Sequence, residues 1–194
     1  AIWEEETQLL GERRYLLPGP WAKTEAESGP LRLNPSYFLP FAWKVFAQED
    51  LDHDWMGLVD DHYALLDEVM SAGNLPPDWL FLDPVTGAPV VPPPFMPEAH
   101  LFGYEAWRMA WTLAAEVAWH DESRALRLLG PFGALETEWR RLGQIYSRLL
   151  PDGSPASDHE YLGLYGALLP AWSLVRPDDA DALYLRHIEP ARAR

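Results

Sequence analysis

The sequence contains no cysteine, few cationic side chains and no long apolar run. Without cysteine, the 194-residue chain has no disulfide framework, thiolate metal site or thiol nucleophile. Thirty acidic residues against 15 basic ones give a net charge of −15, which would repel the phosphates of a nucleic acid. No apolar run approaches the ~20 residues that a membrane-spanning helix needs. We therefore predict no nucleic-acid partner and no membrane span.

Helical periodicity dominates what the sequence does contain. The chain is 48% hydrophobic, and its length suits one domain with a real core. Apolar residues recur every three to four positions between Pro- and Gly-containing breaks. We predict helices at 1–14, 39–49, 54–72, 98–120, 121–130, 133–142, 157–174 and 177–187, and a short strand at 79–82. This pattern predicts an all-α fold, an α/α toroid or part of one, over a single domain at 1–194.

Two segments bear on how the domain is completed. The first predicted helix has no N-cap before it and starts at Ala1, without an initiator methionine or a signal peptide, so we expect upstream sequence to be missing. Residues 83–97 carry six prolines. Such a loop is stiff, and it is suited to form the wall of a cleft.

The segment 102–111 (FGYEAWRMAW) combines a carboxylate, a guanidinium and large aromatic side chains. Glu105 and Arg108 lie three positions apart, so a helix places them side by side. An ion pair would keep the carboxylate ionised and facing a cleft. A Glu and an Arg at this spacing also form ordinary surface ion pairs, and that remains the structural alternative for the pair.

Three segments in order resemble glycoside hydrolase family 8, which contains bacterial endoglucanases, xylanases and chitosanases. They are residues 34–38 (NPSYF), 75–79 (LPPDW) and 103–108 (GYEAWR), and residues 157–172 resemble the family's last inner helix. The resemblance covers residues 1–175 and implies the C-terminal half of an (α/α)6 barrel with an open cleft at one end. The family's general-acid segment, of the type EGQGYG, has no counterpart in this sequence.

The resemblance implies an inverting mechanism with two carboxyl groups. One protonates the glycosidic oxygen, and the other activates a water on the opposite face of the sugar. Glu105 stands at the general-base position, where the family has aspartate. The residues implied to line the cleft and contact substrate are Tyr37, Trp79, Tyr104, Trp107, Arg108 and Tyr161. Each of these aromatic residues could instead belong to the core of so aromatic a chain.

Three functions stay open from the sequence. The first is an inverting, endo-acting hydrolase of β-1,4-linked polysaccharide, similar to a cellulase, with this chain carrying the general-base side of the cleft and inactive in isolation. The second is a non-catalytic carbohydrate-binding relative with a degenerate acid/base pair, and the third is a helical scaffold. The six histidines show no HExxH pattern, so we predict no metal site, and we predict no cofactor.

The expected partners follow from the same resemblance. They are a polysaccharide substrate and either the missing N-terminal half of the barrel or a self-associating copy of this chain. A half barrel would expose apolar helix faces that need covering. The resemblance also implies a secreted or periplasmic protein.

Overall fold

The computed structural model describes residues 1–192 and is mostly helical, so the helical fold class is confirmed. The α-helices are α1 (Ile2–Glu6), α2 (Trp21–Ala26), α3 (Pro40–Glu49), α4 (Trp55–Val69), α5 (Arg108–His120), α6 (Ser123–Leu128), α7 (Ala134–Leu142), α8 (Leu162–Val175), α9 (Pro177–Leu183) and α10 (Glu189–Arg192). The strands are β1 (Thr7–Leu10), β2 (Arg13–Leu16), β3 (Leu31–Leu33), β4 (Leu80–Leu82) and β5 (Pro89–Val90). A π-helical turn at Tyr184–Ile188 joins α9 to α10.

Helix pairs form the bulk of the core. Helix α5 packs along α8, α3 packs along α4, and α8 continues against α9. Tryptophans of α3, α4, α7 and α8 are buried in this core: Trp43, Trp55, Trp139 and Trp172. None of the helices within residues 1–192 is both long enough and apolar enough to cross a membrane.

Two small antiparallel sheets lie beside the helices. Strands β1 and β2 form a hairpin that packs on α4. The second sheet has the order β3-β4-β5, and Leu33 at the end of β3 pairs with Leu80 at the start of β4. The short strand predicted at 79–82 is confirmed as Leu80–Leu82. The register of this sheet brings residue 34 and residue 78 to one edge of the sheet.

A buried ionic contact ties three helices together. Glu116 of α5 is fully buried, and its Oε2 accepts a bond from Lys44 Nζ of α3 at 2.5 Å and from the Tyr63 hydroxyl of α4 at 3.2 Å. Glu122 lies 3.4 Å from the same ammonium group. Because a buried carboxylate is costly without partners, these contacts fix the relative register of α3, α4 and α5.

The helix predicted over 1–14 is wrong beyond Glu6. The Thr7 hydroxyl donates to the Trp3 carbonyl at 2.6 Å, and the chain then turns at Gly11, whose φ is +60°. Pairing of β1 with β2 satisfies backbone groups that a lone helix end would leave to water. Long-range pairing therefore overrides the local apolar spacing.

Three other predicted helices begin too early. Helix α5 starts at Arg108 rather than at residue 98, because the backbone of Phe102 exchanges two hydrogen bonds with Leu149. Helix α8 starts at Leu162, because residues 159 and 160 pair with residues 146 and 147. Helix α6 starts at Ser123 rather than at residue 121, because Asp121 ends α5 with φ +51° and the Glu122 side chain accepts the Arg124 N–H.

His62 is a buried, neutral histidine in α4. Its Nδ1 lies 2.7 Å from the Leu58 carbonyl, and its Nε2 accepts the Leu16 N–H at 3.2 Å. These partners place the proton on Nδ1. The ring also packs edge-on against Phe38, with 3.9 Å between centroids. Burial lowers the pKa of His62 to about 3, so protonation opposes the folded state.

We predict that His62→Gln removes part of the acid sensitivity of the fold. The pKa of His62 in the folded chain lies below its unfolded value of 6.5. As the pH falls below 6.5, the unfolded chain therefore binds a proton at His62 and the folded chain does not. The wild-type free energy of unfolding should therefore decline below pH 6.5, by up to about 1.4 kcal/mol per pH unit from this group. Urea denaturation between pH 7.5 and about 5 measures the slope, which should be shallower in the variant.

His53→Gln is the matched control for this prediction. The hydrogen bond that His53 donates to the Asp50 carboxylate raises the pKa of His53. The stabilising contribution of His53 is therefore present below the unfolded pKa and is lost as the pH rises through the folded pKa. Removing it should make the acid decline steeper, the opposite of His62→Gln. If the free energy of unfolding falls with pH equally steeply in His62→Gln and in the wild-type chain, His62 is not a source of the acid sensitivity.

Candidate active site

The turn at Pro35–Tyr37 presents Asn34 and Tyr37 at the edge of the second sheet. Asn34 is buried, and its Oδ1 accepts the Ser36 N–H at 3.0 Å and the Ser36 hydroxyl at 2.6 Å. These two donors determine the orientation of the amide, so the Nδ2 group points away from the turn. It donates to Glu105 Oε2 at 2.8 Å.

Glu105 lies in the turn that precedes α5, not within the helix. Its half-buried carboxylate receives hydrogen bonds from Asn34 and from the Arg108 guanidinium, both at Oε2. The Arg108 guanidinium also lies 5.4 Å from the ring centroid of Tyr37. The structure thus brings together three residues that the sequence singled out, Tyr37, Glu105 and Arg108, and adds Asn34 to them.

Asp78 is a residue of this region that the sequence reasoning did not single out. Its Oδ1 accepts backbone N–H bonds from Gly103 at 3.0 Å, Glu105 at 3.0 Å and Ala106 at 2.8 Å. Burial raises the pKa of Asp78, and these N–H groups together with Arg148 and Arg108 oppose the rise. The only sequence signal was its place in the LPPDW segment, which gave no role to the side chain.

Three aromatic rings lie together beside the Glu105 turn. Tyr104 is 40% exposed and Tyr161 is 52% exposed, with 5.6 Å between their centroids. Trp107 is 4% exposed, and its centroid lies 4.7 Å from Tyr104 and 5.4 Å from Tyr161. The two tyrosines therefore offer an open aromatic surface, whereas Trp107 packs beneath it.

Polar groups surround Tyr104. Its hydroxyl lies 3.3 Å from His159 Nε2, and the Arg148 guanidinium lies 5.3 Å from its ring centroid. Trp107 Nε1, by contrast, is buried and finds no hydrogen-bond partner among residues 1–192. This placement of Trp107 favours a packing role over direct contact with a ligand.

Trp79 lies in a separate groove on the other side of Asp78. The groove has a volume of about 330 Å³, and its lining includes Asp78, Trp79, Phe95 and Arg148. The half-buried Trp79 ring also stacks with the Arg32 guanidinium, at 5.2 Å from the centroid. Trp79 therefore belongs to a neighbouring aromatic groove rather than to the shell around Glu105.

The arrangement holds one half-buried carboxylate beside the Arg108 guanidinium, in the turn that also carries the exposed Tyr104. Both hydrogen bonds that Glu105 receives from residues 1–192 go to Oε2, which leaves Oε1 as an acceptor for a solvent or ligand hydroxyl. The flat faces of Tyr104 and Tyr161 suit the C–H face of a sugar ring. A site of this kind can hold a carbohydrate and remove a proton from a bound water.

The chain is similar to known glycosyl hydrolases. The family model for "Glycosyl hydrolases family 8" matches residues 2–147, a range that contains every predicted site residue except Tyr161. Endoglucanase A of Acetivibrio thermocellus is 33% identical over 95 residues, which cover 47% of this chain and 18% of that protein. An endoglucanase of Cellulomonas uda is 30% identical over 138 residues, which cover 71% of this chain and 33% of that protein.

A solved structure shows the same fold. The apo β-1,3-1,4-glucanase of Paenibacillus sp. X4 superposes with a TM-score of 0.77 at 17% identity, over 95% of this chain and 50% of that one. The match confirms an α/α barrel architecture, of which this chain represents about half. The chain also spans only 18% and 33% of the two endoglucanases described above.

We predict that Asn34→Asp destabilises the fold near neutral pH. The change replaces the Nδ2 donor with an oxygen that faces the Glu105 carboxylate, so a hydrogen bond becomes a repulsion between like charges. The free energy of unfolding should fall by about 1–3 kcal/mol. Chemical denaturation at pH 7 and at about pH 3 measures this, and the loss should shrink at the lower pH because carboxyl groups take up protons there.

Asn74→Asp is the control for that measurement. Asn74 follows the turn at Ser71–Gly73, and its side chain makes no hydrogen bond with the described residues. The same change of charge there should alter stability little. An equal loss in both variants would show that the Asn34–Glu105 contact is not the cause.

Proposed function

Because the chain belongs to glycosyl hydrolase family 8, we propose that it carries the general-base side of an inverting, endo-acting site for β-1,4-linked glucan. The observation that carries the proposal is the Glu105 carboxylate, which Asn34 and Arg108 hold in the turn that also carries the exposed Tyr104. The charges fit this role, since the Arg108 guanidinium forms an ion pair with the Glu105 carboxylate.

In the proposed reaction, Glu105 Oε1 accepts a proton from a water molecule. The water oxygen attacks the anomeric carbon, the bond from that carbon to the glycosidic oxygen breaks, and a carboxylic acid on the opposite side protonates the departing oxygen. The two carboxyl groups of an inverting site lie about 6.5–9.5 Å apart, so that the water fits between them. Asp78 does not suit the role of acid, because three backbone N–H groups occupy its Oδ1. We propose that the acid comes from the N-terminal half of the barrel.

The aromatic residues would bind the glycan. Tyr104, which precedes Glu105 in the chain, and Tyr161 provide exposed rings. The Arg108 guanidinium, which binds Glu105, lies over the Tyr37 ring. Trp79 and the exposed Phe95 would contact sugar units in the neighbouring groove. Trp107 would support the two tyrosine rings from below rather than touch the sugar. We propose a glucan substrate because two relatives are named endoglucanase and the structural neighbour a β-1,3-1,4-glucanase.

A carbohydrate-binding protein without catalysis is the second candidate. The observation that favours it is the glutamate at position 105, where the family has aspartate, in contact with Arg108. The additional methylene alters where the carboxylate meets the water, and misplacement by about 1 Å can cost ~100-fold in rate. Binding of glucan without release of reducing ends would favour this candidate.

The proposed partner within the protein is the N-terminal half of the barrel. An apolar groove of about 300 Å³ runs between α5 and α8 and is lined by Trp111, Ala114, Ala115, Ala118, Trp119, Pro170 and Leu174. Trp119 is 65% exposed there. Because the chain covers half of its structural neighbour, helices of the other half are the occupant we propose for this groove. The same family relationship leads us to propose a secreted or periplasmic protein.

We predict that Glu105→Gln abolishes hydrolysis by the enzyme in which this chain is joined to an N-terminal half. The amide has the size of the carboxylate but cannot accept the water proton, so reducing-sugar release from carboxymethylcellulose should fall at least ~100-fold. The chain alone should release none, since one carboxyl group cannot supply both protonation and water activation.

Glu68→Gln is the matched control for the assay. It disrupts another glutamate–arginine ion pair, Glu68 with Arg13 on the surface of α4, and should leave the rate unchanged. If Glu105→Gln is as active as Glu68→Gln, the base assignment is wrong.

We predict that the isolated chain associates through the α5–α8 groove. Sedimentation velocity should show oligomers that an added N-terminal half displaces, and Trp119→Glu should weaken both forms of association because it places a charge in an apolar contact. Leu51→Glu, at a leucine 87% exposed outside the groove, should change neither. A wild-type chain that stays monomeric and does not bind the N-terminal half would contradict the proposed interface.

A further inference from the structure

We propose that Asp78 is a positioning residue that sets where the Glu105 carboxylate lies. The proposal rests on the function proposed for Glu105, but whether Asp78 holds the turn before α5 can be tested by itself. The Oδ1 atom of Asp78 accepts bonds from backbone N–H groups and does not contact the Glu105 carboxylate. It acts on the backbone from which Glu105 projects.

The three hydrogen bonds to Asp78 hold the turn before α5. The donors are the N–H groups of Gly103, Glu105 and Ala106, at 2.8–3.0 Å. Each precedes the first residue of α5 at Arg108, so none has an acceptor in a preceding helical turn. One donor is the amide of Glu105 itself, which fixes the point where its side chain begins.

Gly103 lies so close to Asp78 that a side chain at position 103 would displace the Asp78 carboxylate. A Cβ atom on the buried Gly103 would lie 2.6 Å from Asp78 Oδ2. Any other residue at position 103 would therefore displace the Asp78 carboxylate. The φ of Gly103 is not in the left-handed region, so space rather than backbone conformation favours glycine here. The carboxylate and the turn form one close-packed unit.

Asp78 is itself anchored to the sheet region. Its N–H donates to the Leu101 carbonyl at 2.8 Å, and the N–H of Trp79 donates to the Ala99 carbonyl at 3.0 Å. Strand β4 then begins at Leu80, opposite Leu33. Asn34 follows Leu33 directly, so the register places both anchors of Glu105 at one edge: Asn34 holds the side chain and Asp78 holds the backbone.

Two anchors matter because glutamate has one more rotatable bond than aspartate. A general base must lie within hydrogen-bonding distance of its water, and an error of about 1 Å can cost ~100-fold in rate. The bond from Asn34 fixes Oε2 only if the backbone of residue 105 stays in place. Loss of Asp78 should therefore lower kcat, because the backbone of residue 105 would move while the carboxylate of Glu105 itself is kept.

The test compares Asp78→Ala with Asp78→Asn. In the isolated chain, Asp78→Ala should speed hydrogen exchange at the amides of residues 103, 105 and 106 about tenfold or more, because their acceptor is gone. In the enzyme joined to its N-terminal half, kcat should fall about 100-fold with KM nearly unchanged. Asp78→Asn keeps an Oδ1 acceptor and should restore most of the protection and most of kcat.

Asp83→Ala is the matched control. Asp83 Oδ1 also accepts three bonds, from the N–H groups of Val85 and Thr86 and from the Thr86 hydroxyl, but in the proline-rich loop. Its loss should leave hydrogen exchange at the amides of residues 103, 105 and 106 unchanged. If Asp78→Ala does not fold, Gly103→Ala serves instead, because its methyl group displaces the Asp78 carboxylate and should lower kcat in the same way.

The outcomes separate this proposal from the proposed function. Unchanged exchange at the three amides, unchanged kcat, or failure of Asp78→Asn to restore both would overturn the role of Asp78. A fully active Glu105→Gln enzyme would instead overturn the role of Glu105 as base. The exchange result would then still decide whether Asp78 holds the turn.

Discussion

The pairing of Leu33 with Leu80 is the constraint on which the candidate site depends. This one antiparallel register ends β3 just before Asn34 and begins β4 just after Trp79. Segments that lie more than 40 residues apart in sequence thereby meet the turn at residues 103–106. A shift of one residue would turn the neighbouring side chains to the opposite face of the sheet. The short sheet, not the helices, therefore defines the position of Glu105.

The helices supply the rigid support behind that turn. Glu116 of α5 binds Lys44 and Tyr63, which fixes α5 against α3 and α4. Helix α5 also packs along α8, which begins next to Tyr161. The ring of Trp107 fills the space between these two helix starts, beneath Tyr104 and Tyr161. Core packing and the open aromatic surface are thus parts of one arrangement.

Local patterns in the sequence predicted the parts of the site that depend on neighbours along the chain. The spacing of Glu105 and Arg108 predicted their contact. The sequence could not predict contacts set by strand register. The bond from Asn34 to Glu105 spans 71 residues, and the bonds to Asp78 span 25 to 28. The hairpin at β1 and β2 escaped prediction for the same reason, since its partner decides its form.

On the proposed function, the base side of the cleft is assembled without help from the other half of the barrel. The three residues that hold Glu105 all lie in this chain. Asn34 donates to its carboxylate, Asp78 accepts its backbone N–H, and Arg108 forms an ion pair with it. The other half would then contribute the acid and cover the apolar groove between α5 and α8. Since each half of the barrel would be rigid by itself, the packing between the two halves would set the distance between the two carboxyl groups. In an inverting site that separation decides whether a water fits between them.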